Sequence, residues 1–263
     1  MISSLSPAIK ALILDMDGVL WKDDQPIGDL PRIFARIKEV GLKVMLATNN
    51  AMRSVDQHQQ KLARFGVTVE EWQVVNSGMA VAYLLSQRFP QGGPVFVVGE
   101  GGLIKALEKN GFYPADENVK DVLAVICGFD RQVTFEKFTR ATILIRKGAL
   151  FIGTNPDRTF PTPAGLIPGA GSFVAFLEAA SDVKPIIAGK PSPTLFQLAF
   201  NQLQLSPDEI LAVGDRLDTD ILGGRQAGCR TALVMSGVTS PAELAAWSPK
   251  PDLVAPDLLS LLQ

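Results

Sequence analysis

Short apolar runs alternate along the chain with segments whose apolar residues recur at helical spacing. The first run is residues 11–14, and the segment after it places Ile33, Ile37 and Val40 on one face of a helix. A second apolar run follows at residues 43–47. A strand, a helix and another strand in this order predict parallel strands joined by a right-handed connection.

The same alternation returns in the last third of the chain. Apolar runs at residues 186–188, 210–213 and 231–234 are predicted strands, and the segment that begins at Ser192-Pro193 is a predicted helix. Together with the first third, this pattern predicts an α/β fold with a three-layer, Rossmann-like core built around a parallel sheet.

The middle of the chain has its own set of elements. Strands are predicted at residues 95–98 and 122–126, with helices between and after them. We interpret residues 85–184 as an α/β domain inserted into the core, which then consists of residues 1–84 and 185–263.

Composition limits the classes of function. The chain has 263 residues, of which 47% are hydrophobic, and a formal net charge of −2. A general nucleic-acid binder carries a basic surplus, so nucleic acid is not an expected partner. No apolar run reaches the length of a membrane span, and Asp15 and Asp17 interrupt the first hydrophobic stretch, which argues against a signal peptide. The two cysteines, Cys127 and Cys229, are interpreted as buried thiols in a reducing compartment. Because neither a signal peptide nor a membrane span is expected, the sequence predicts a cytoplasmic protein without a membrane partner.

Polar side chains stand at the ends of the predicted strands. Asp15 and Asp17 follow the first strand, and Thr48 with Asn49 follows the second. Because ligands collect at the carboxyl ends of parallel strands, two carboxylates there would repel each other unless a cation lay between them. Each group also has an ordinary structural explanation, since the aspartates could cap a turn and Thr48 could begin a helix.

Two further strand ends carry charged side chains. Lys190 follows the predicted strand at residues 186–188, and Asp215, Asp218 and Asp220 follow the next predicted strand. Lysine binds phosphate as a compact cation, and grouped carboxylates are the hard oxygen ligands that magnesium prefers. The alternatives are a solvated surface lysine and a polar loop that caps a helix.

The four segments together resemble a known family. The sequences DMDGVL, TNN, GKPSP and GDRLDTDI are similar to the four motifs of the haloacid dehalogenase-like phosphatases, in particular the p-nitrophenyl phosphatase and phosphoglycolate phosphatase branch. That branch inserts its cap domain between the second and third motifs, where residues 85–184 lie here. The resemblance implies a magnesium-dependent phosphatase that hydrolyses small phosphomonoesters through an aspartyl-phosphate intermediate.

The resemblance also implies a role for individual residues. Asp15 is the expected nucleophile, and Asp17 is the expected general acid, which later acts as a base. The phosphoryl group is expected to be bound by Thr48, Asn49 and Lys190.

A magnesium site is implied as well. Its expected ligands are Asp15, the backbone carbonyl of Asp17, and Asp215. Asp220 is expected to support this site through water or through Lys190 rather than by direct contact with the ion.

The resemblance leaves the substrate open beyond a small phosphorylated metabolite. Arg158, just after the Thr154–Asp157 segment, could pair with a substrate carboxylate such as that of phosphoglycolate, or could form a salt bridge with Asp157. The rival interpretations are a phosphotransferase or mutase, a phospho-signalling receiver domain and a non-catalytic binder of phosphorylated metabolites. The sequence does not decide between a monomer and a homo-oligomer. Trp21 could line the site entrance or simply pack, and the only histidine, His58, is expected on the exposed side of a helix.

Overall fold

The computed structural model describes residues 1–116, 119–162 and 164–263. In chain order its strands are β1 (Ala11–Leu14), β2 (Trp21–Lys22), β3 (Gln25–Pro26), β4 (Lys43–Thr48), β5 (Val74–Asn76), β6 (Gly93–Val98), β7 (Phe112–Pro114), β8 (Ala124–Cys127), β9 (Leu150–Gly153), β10 (Thr159–Thr162), β11 (Gly165–Pro168), β12 (Ile186–Ile187), β13 (Ile210–Gly214), β14 (Arg230–Val234) and β15 (Leu253–Ala255).

The α-helices are α1 (Leu30–Glu39), α2 (Val55–Arg64), α3 (Ser77–Arg88), α4 (Gly101–Glu108), α5 (Phe135–Arg146), α6 (Ala170–Ser181), α7 (Thr194–Leu203), α8 (Leu222–Gln226), α9 (Pro241–Ala246) and α10 (Leu258–Leu261). Short 3₁₀ helices lie at Ile2–Ser4, Glu71–Gln73 and Pro207–Glu209, and a π-helical turn lies at Leu217–Ile221. None of the helices in the described ranges has both the length and the apolar character needed to span a membrane.

The chain divides into two compact units. The first unit consists of Met1–Thr48, Asp56–Val75 and Pro191–Gln263, and the second consists of Asn49–Val55 and Asn76–Lys190. The residues predicted to form the inserted cap, 85–184, all belong to the second unit. The domain boundaries given above stay a prediction.

The first unit contains a six-stranded sheet with the order β15-β14-β13-β1-β4-β5. β1 lies between β13 and β4 and is parallel to both, with Ala11 opposite Ile210 on one side and Lys43 on the other. All four residues of β1 are buried, as expected of a strand inside a parallel sheet that is covered on both faces. The apolar runs that became β1, β4, β13 and β14 therefore predicted the core of an α/β fold correctly.

The helix after β1 shows how local signals set its ends. α1 begins after Asp29, whose carboxylate accepts a hydrogen bond from the backbone N–H of Arg32 at 3.1 Å. Pro31 lies in the first turn, where the missing N–H removes no helical hydrogen bond. Gly41, with φ of 75°, follows the helix and turns the chain back towards β4.

The second unit contains a five-stranded sheet with the order β12-β9-β8-β6-β7, and its strand pairs are parallel. Phe96, Val125 and Phe151 of this sheet pack with Leu144 of α5 and Leu177 of α6 in one apolar cluster. β10 and β11 form a separate antiparallel hairpin. The middle of the chain thus has the α/β character that its pattern predicted.

One strand pairs differently from expectation. The apolar run at residues 186–188 predicted a core strand, whereas β12 pairs with β9 of the second sheet, with Ile186 opposite Ile152. An apolar run identifies a strand but not its partner, because any exposed sheet edge offers unpaired backbone groups to a new strand. Lys190, which follows β12 closely, consequently belongs to the second unit.

Candidate active site

Three carboxylates meet at the carboxyl edge of the first sheet. Asp15 comes directly after β1 and Asp215 directly after β13, and these neighbouring strands run parallel. Asp220 reaches the same place from the π-helical turn. Ligand oxygens of the three side chains all lie within 4.8 Å of one another. We call Asp15, Asp215 and Asp220 the acidic cluster.

Backbone groups hold the two buried members of the acidic cluster. The Asp215 Oδ2 accepts a hydrogen bond from the backbone N–H of Val238 at 2.8 Å, and its backbone carbonyl accepts from Thr239 Oγ1 at 2.6 Å. The Asp220 Oδ2 accepts from the backbone N–H of Arg216 at 3.0 Å. These bonds fix the direction of each carboxylate before any ligand arrives.

The π-helical turn supplies the geometry that brings Asp220 to the cluster. The backbone N–H groups of Asp220 and Ile221 both donate to the carbonyl of Arg216, each at 3.1 Å. Such wide turns are frequent at functional sites because the extra residue redirects the side chains that follow. Asp218 lies in the same turn but is exposed and is not among the three grouped carboxylates.

Gly18 leaves room for the acidic cluster. Its φ is 83°, and a Cβ at this position would collide with the Asp215 carboxylate. Gly237 faces the same carboxylate from another loop, and a Cβ there would collide with it as well. Both positions therefore require glycine, Gly18 for its backbone conformation as well as for space.

Asp17 has surroundings of a different kind. Its side chain is exposed, and its Oδ1 accepts a hydrogen bond from Trp21 Nε1 at 2.8 Å. The backbone N–H of Gly18 donates to the carbonyl of Trp21 at 2.7 Å, which closes the loop between them. The Asp15 carboxylate is therefore half-buried within the acidic cluster, whereas the Asp17 carboxylate is exposed and accepts a hydrogen bond from Trp21.

Thr48 ends β4, the strand that lies next to β1. Leu14, the last residue of β1, is opposite Leu46, so Thr48 reaches the same sheet edge as Asp15. The Thr48 side chain is buried. A hydroxyl at this edge is a suitable donor to a phosphoryl oxygen.

In the second unit, Asn49 is bonded to the backbone of Lys190. Its Oδ1 accepts from the backbone N–H of Lys190 at 2.8 Å, while its Nδ2 donates to the Lys190 carbonyl at 3.0 Å and to Asp157 Oδ2 at 3.3 Å. Both hydrogens of this amide are therefore engaged. A contact from Asn49 to a phosphoryl group would have to come from its backbone N–H.

Two residues that the sequence did not single out brace Asn49. Ser77 Oγ donates to the Asn49 carbonyl at 2.6 Å, and Asn155 Nδ2 donates to the same carbonyl at 2.9 Å. The Asn155 Oδ1 in turn accepts from the backbone N–H of Asp157 at 3.1 Å. The signal was polar residues directly after a short strand: Ser77 follows β5, and Thr154 and Asn155 follow β9.

Arg158 is the residue that could pair with a substrate carboxylate. Arg158 is exposed, and its backbone carbonyl accepts from Gly169 N–H at 2.8 Å and Ser172 Oγ at 2.6 Å. Its role in selectivity stays a prediction.

The expectation that His58 is exposed is wrong, because only 1% of it is accessible. His58 lies one turn before the buried Leu62 on α2 and so shares its inward face.

The acidic cluster suits a hard divalent cation. Three carboxylates this close carry mutually repelling charge, and oxygen ligands at such spacing are those that magnesium binds. The two buried members are already oriented by backbone donors, so little reorganisation is needed when a cation binds.

Comparison with known proteins identifies the family of this chain. The sequence model of the haloacid dehalogenase-like hydrolases matches residues 12–113, and a second HAD-hydrolase-like model matches residues 187–261. Phosphoglycolate phosphatase 1A of Arabidopsis thaliana is 37% identical to this chain over 257 residues, which span 90% of this chain and 71% of the relative. The chain belongs to the haloacid dehalogenase-like hydrolase family.

Solved structures of the haloacid dehalogenase-like family agree with this assignment. A p-nitrophenyl phosphatase from Archaeoglobus fulgidus is 31% identical, with a TM-score of 0.90 over 97% of this chain and 99% of that one. A glycerol phosphate phosphatase from Mycobacterium tuberculosis, solved in complex with magnesium, is 33% identical, with a TM-score of 0.89 over 96% of this chain and 76% of that one. The branch of the family suggested by the sequence motifs is therefore confirmed.

Proposed function

We propose that this chain is a magnesium-dependent phosphatase that hydrolyses small phosphomonoesters through an aspartyl-phosphate on Asp15. The acidic cluster carries this proposal, because it combines a half-buried carboxylate at a strand end with two buried carboxylates. The relatives that bear phosphatase names support it. A small phosphorylated metabolite as partner and a cytoplasmic location are parts of the same proposal.

The proposed metal ligands are Asp15, Asp215 and the backbone carbonyl of Asp17, with Asp220 in a supporting position. When bound, magnesium neutralises the charge that would otherwise keep a carboxylate away from a phosphate dianion. The backbone N–H groups that bond Asp215 and Asp220 hold these ligands in place.

The proposed chemistry has two displacements at phosphorus. In the first, the Asp15 carboxylate attacks phosphorus and Asp17 gives its proton to the leaving alkoxide. In the second, Asp17 takes a proton from water as the water oxygen attacks the aspartyl-phosphate, which frees Asp15 and releases inorganic phosphate. Thr48, Asn49 and Lys190 are proposed to bind the phosphoryl oxygens.

The direct test is the release of inorganic phosphate from a panel of phosphorylated metabolites. We expect turnover with magnesium, none in excess chelator, and recovery when magnesium is restored. Calcium should bind but support little turnover, because its larger and looser shell places the nucleophile poorly. Full activity in excess chelator would contradict the metal assignment.

The phosphotransferase alternative is separated by its products. A mutase or transferase would convert a sugar phosphate into an isomer or a second phosphoester, and little inorganic phosphate would appear. A non-catalytic binder would shift thermal unfolding with phosphometabolites but release no phosphate. Quantifying both inorganic phosphate and the organic product in one reaction distinguishes the three outcomes.

We also propose Arg158 as a residue that selects substrates with a carboxylate. A guanidinium binds a carboxylate through two parallel hydrogen bonds, and the Arg158 side chain is exposed. Arg158→Ala should weaken turnover of phosphoglycolate but leave glycerol phosphate unchanged, and an equal effect on both would contradict the proposal.

A further inference from the structure

Trp21 is a buried residue whose polar atom is directed at an exposed carboxylate. It begins β2, it is 1% accessible, and its Nε1–H donates to Asp17 Oδ1 at 2.8 Å. Indole has a single hydrogen-bond donor, so this bond uses all of the polar capacity of the side chain. Phenylalanine would fill part of the same space but has no N–H to donate.

The indole ring is fixed by its neighbours. Lys61 Nζ lies 4.5 Å from the ring centroid, within the range of a cation–π contact. Lys61 is itself buried, and its Nζ donates to the Asp23 carbonyl at 2.6 Å and lies 3.5 Å from an Asp24 carboxylate oxygen. Phe65 packs against Trp21 with ring centroids 6.0 Å apart. A ring enclosed in this way offers its N–H in one direction only.

This arrangement restricts Asp17, which otherwise has a short and exposed side chain. The bond to Trp21 selects one rotamer of the carboxyl group. In a neutral carboxyl group the carbonyl oxygen is the better acceptor, so an N–H directed at Oδ1 places the acidic proton on Oδ2. The proton is then held at a defined atom, which general-acid catalysis requires.

We propose that Trp21 is a positioning residue for proton transfer by Asp17. It holds the carboxyl group in one orientation and directs the exchangeable proton to Oδ2. The inference rests on the proposed role of Asp17 as the general acid, and it adds a residue that is expected to touch neither the substrate nor the metal.

The test compares leaving groups in Trp21→Phe, which removes the N–H and keeps an aromatic ring. Glycerol phosphate has an alkoxide leaving group that needs protonation, whereas p-nitrophenolate leaves without help. General-acid assistance is worth about 10²–10⁴-fold, and its partial loss through misorientation should lower kcat/KM on glycerol phosphate, which reports the first displacement, about tenfold or more. On the same reasoning kcat/KM on p-nitrophenyl phosphate should stay within about twofold, whereas kcat can fall on both substrates because Asp17 also acts as the base in the second displacement, which they share.

Phe65→Leu is the matched control. It removes a ring that packs against Trp21 but keeps the indole N–H that donates to Asp17 and the Lys61 contact that fixes the indole. A purely structural disturbance should therefore affect both substrates alike in Phe65→Leu. In an Asp17→Asn background, Trp21→Phe should add no further loss that depends on the leaving group.

The outcomes of the proposed function and of this inference can be told apart. If Asp17→Asn itself lowers kcat/KM equally on both substrates, the general-acid role of Asp17 is wrong. If Asp17→Asn is selective but Trp21→Phe lowers both substrates equally, or neither, the positioning role of Trp21 is wrong. Thermal unfolding of each variant shows whether it is folded under the assay conditions.

A second measurement does not depend on the stability of Trp21→Phe. The chain has three tryptophans, and each gives an indole N–H resonance in a ¹H–¹⁵N spectrum. One indole resonance should shift strongly between the wild-type protein and Asp17→Ala, which removes the acceptor oxygen. If all three indole resonances stay in place, the bond does not exist in solution and the inference fails.

Discussion

At the scale of single residues, two aspartates separated by one position have different environments. Asp15 belongs to the acidic cluster, whereas Asp17 is exposed and bonded to Trp21. The sequence predicted two carboxylates at a strand end, because an apolar run followed by polar residues identifies that end. It could not predict their separate partners, since these depend on how the loop after Gly18 and the turn around Asp220 fold back.

The nucleophile assignment predicts a large and local effect. Asp15→Asn keeps the size of the side chain but removes the attacking oxygen, so turnover should fall by roughly 10³-fold or more. Asp218→Asn is the control, because it makes the same change at an exposed carboxylate outside the cluster, and it should leave turnover nearly unchanged. The measurement is steady-state phosphate release, with deamidation of the variant excluded by mass spectrometry. Near-normal turnover of Asp15→Asn would show that another group is the nucleophile.

Glycine at position 18 is predicted to matter for the metal site as well as for the backbone. Gly18→Ala should lower stability through its positive φ and should displace the Asp215 carboxylate, so magnesium affinity should also fall. Gly41→Ala is the control, because Gly41 has φ of 75° but no atom within 4 Å of the place that a Cβ would take. It should cost about 1 kcal/mol of unfolding free energy from backbone strain and leave magnesium binding unchanged. Calorimetric titration and thermal unfolding measure the two effects, and equal magnesium affinity in both variants would contradict the prediction.

At the scale of elements, short polar segments after strands hold the candidate site residues. The strand ends were predictable, because buried parallel strands are continuous apolar runs. The bonds that brace Asn49 were not, since Ser77 at the start of α3 and Asn155 after β9 lie far from Asn49 in sequence. The amide of Asn49 pairs with both backbone groups of Lys190, much as a strand neighbour would.

Asn49→Asp tests this brace with almost no change in shape. The new oxygen would face the Lys190 carbonyl and the Asp157 carboxylate, which both accept hydrogen bonds from the present amide. Loss of two bonds together with this repulsion should lower the unfolding free energy by about 2–4 kcal/mol. Asn110→Asp is the control, because Asn110 is exposed and donates one bond, to the Ala106 carbonyl at 2.9 Å. Its cost should stay below about 1 kcal/mol. Urea unfolding gives both values, and equal destabilisation would mean that Asn49 braces nothing.

At the scale of the whole molecule, the chain consists of two compact units, each with its own parallel sheet. The sequence predicted a separate middle region, because that region has its own alternation of strands and helices. It did not predict that residues 49–55 belong to the second unit. Residues 49–55 are held in the second unit by hydrogen bonds between residues far apart in sequence, such as that from Gly102 N–H to the Met52 carbonyl at 3.1 Å. A pattern of neighbouring residues cannot predict such bonds.

The two cysteines offer one probe in each unit. Cys127 lies in β8 of the second unit, and Cys229 precedes β14 in the first. Both are free and buried. Burial raises the pKa of the Cys229 thiol to about 12 and holds the pKa of the Cys127 thiol far above its ordinary value. Since the thiolate is the reactive form, neither residue should react while its unit is folded.

We therefore expect iodoacetamide to leave both cysteines unmodified in the folded protein at pH 8 and to modify both rapidly in concentrated guanidinium chloride. In the folded protein the rate should not rise between pH 8 and pH 10, because both thiols keep their protons there. In the unfolded chain the rate should rise over the same range as ordinary thiols ionise. At intermediate denaturant, peptide mapping of the label reports the opening of each unit separately. A small exposed thiol such as glutathione in the same tube controls for the reagent, and rapid labelling of either cysteine in the native protein would mean that the unit holding it is open.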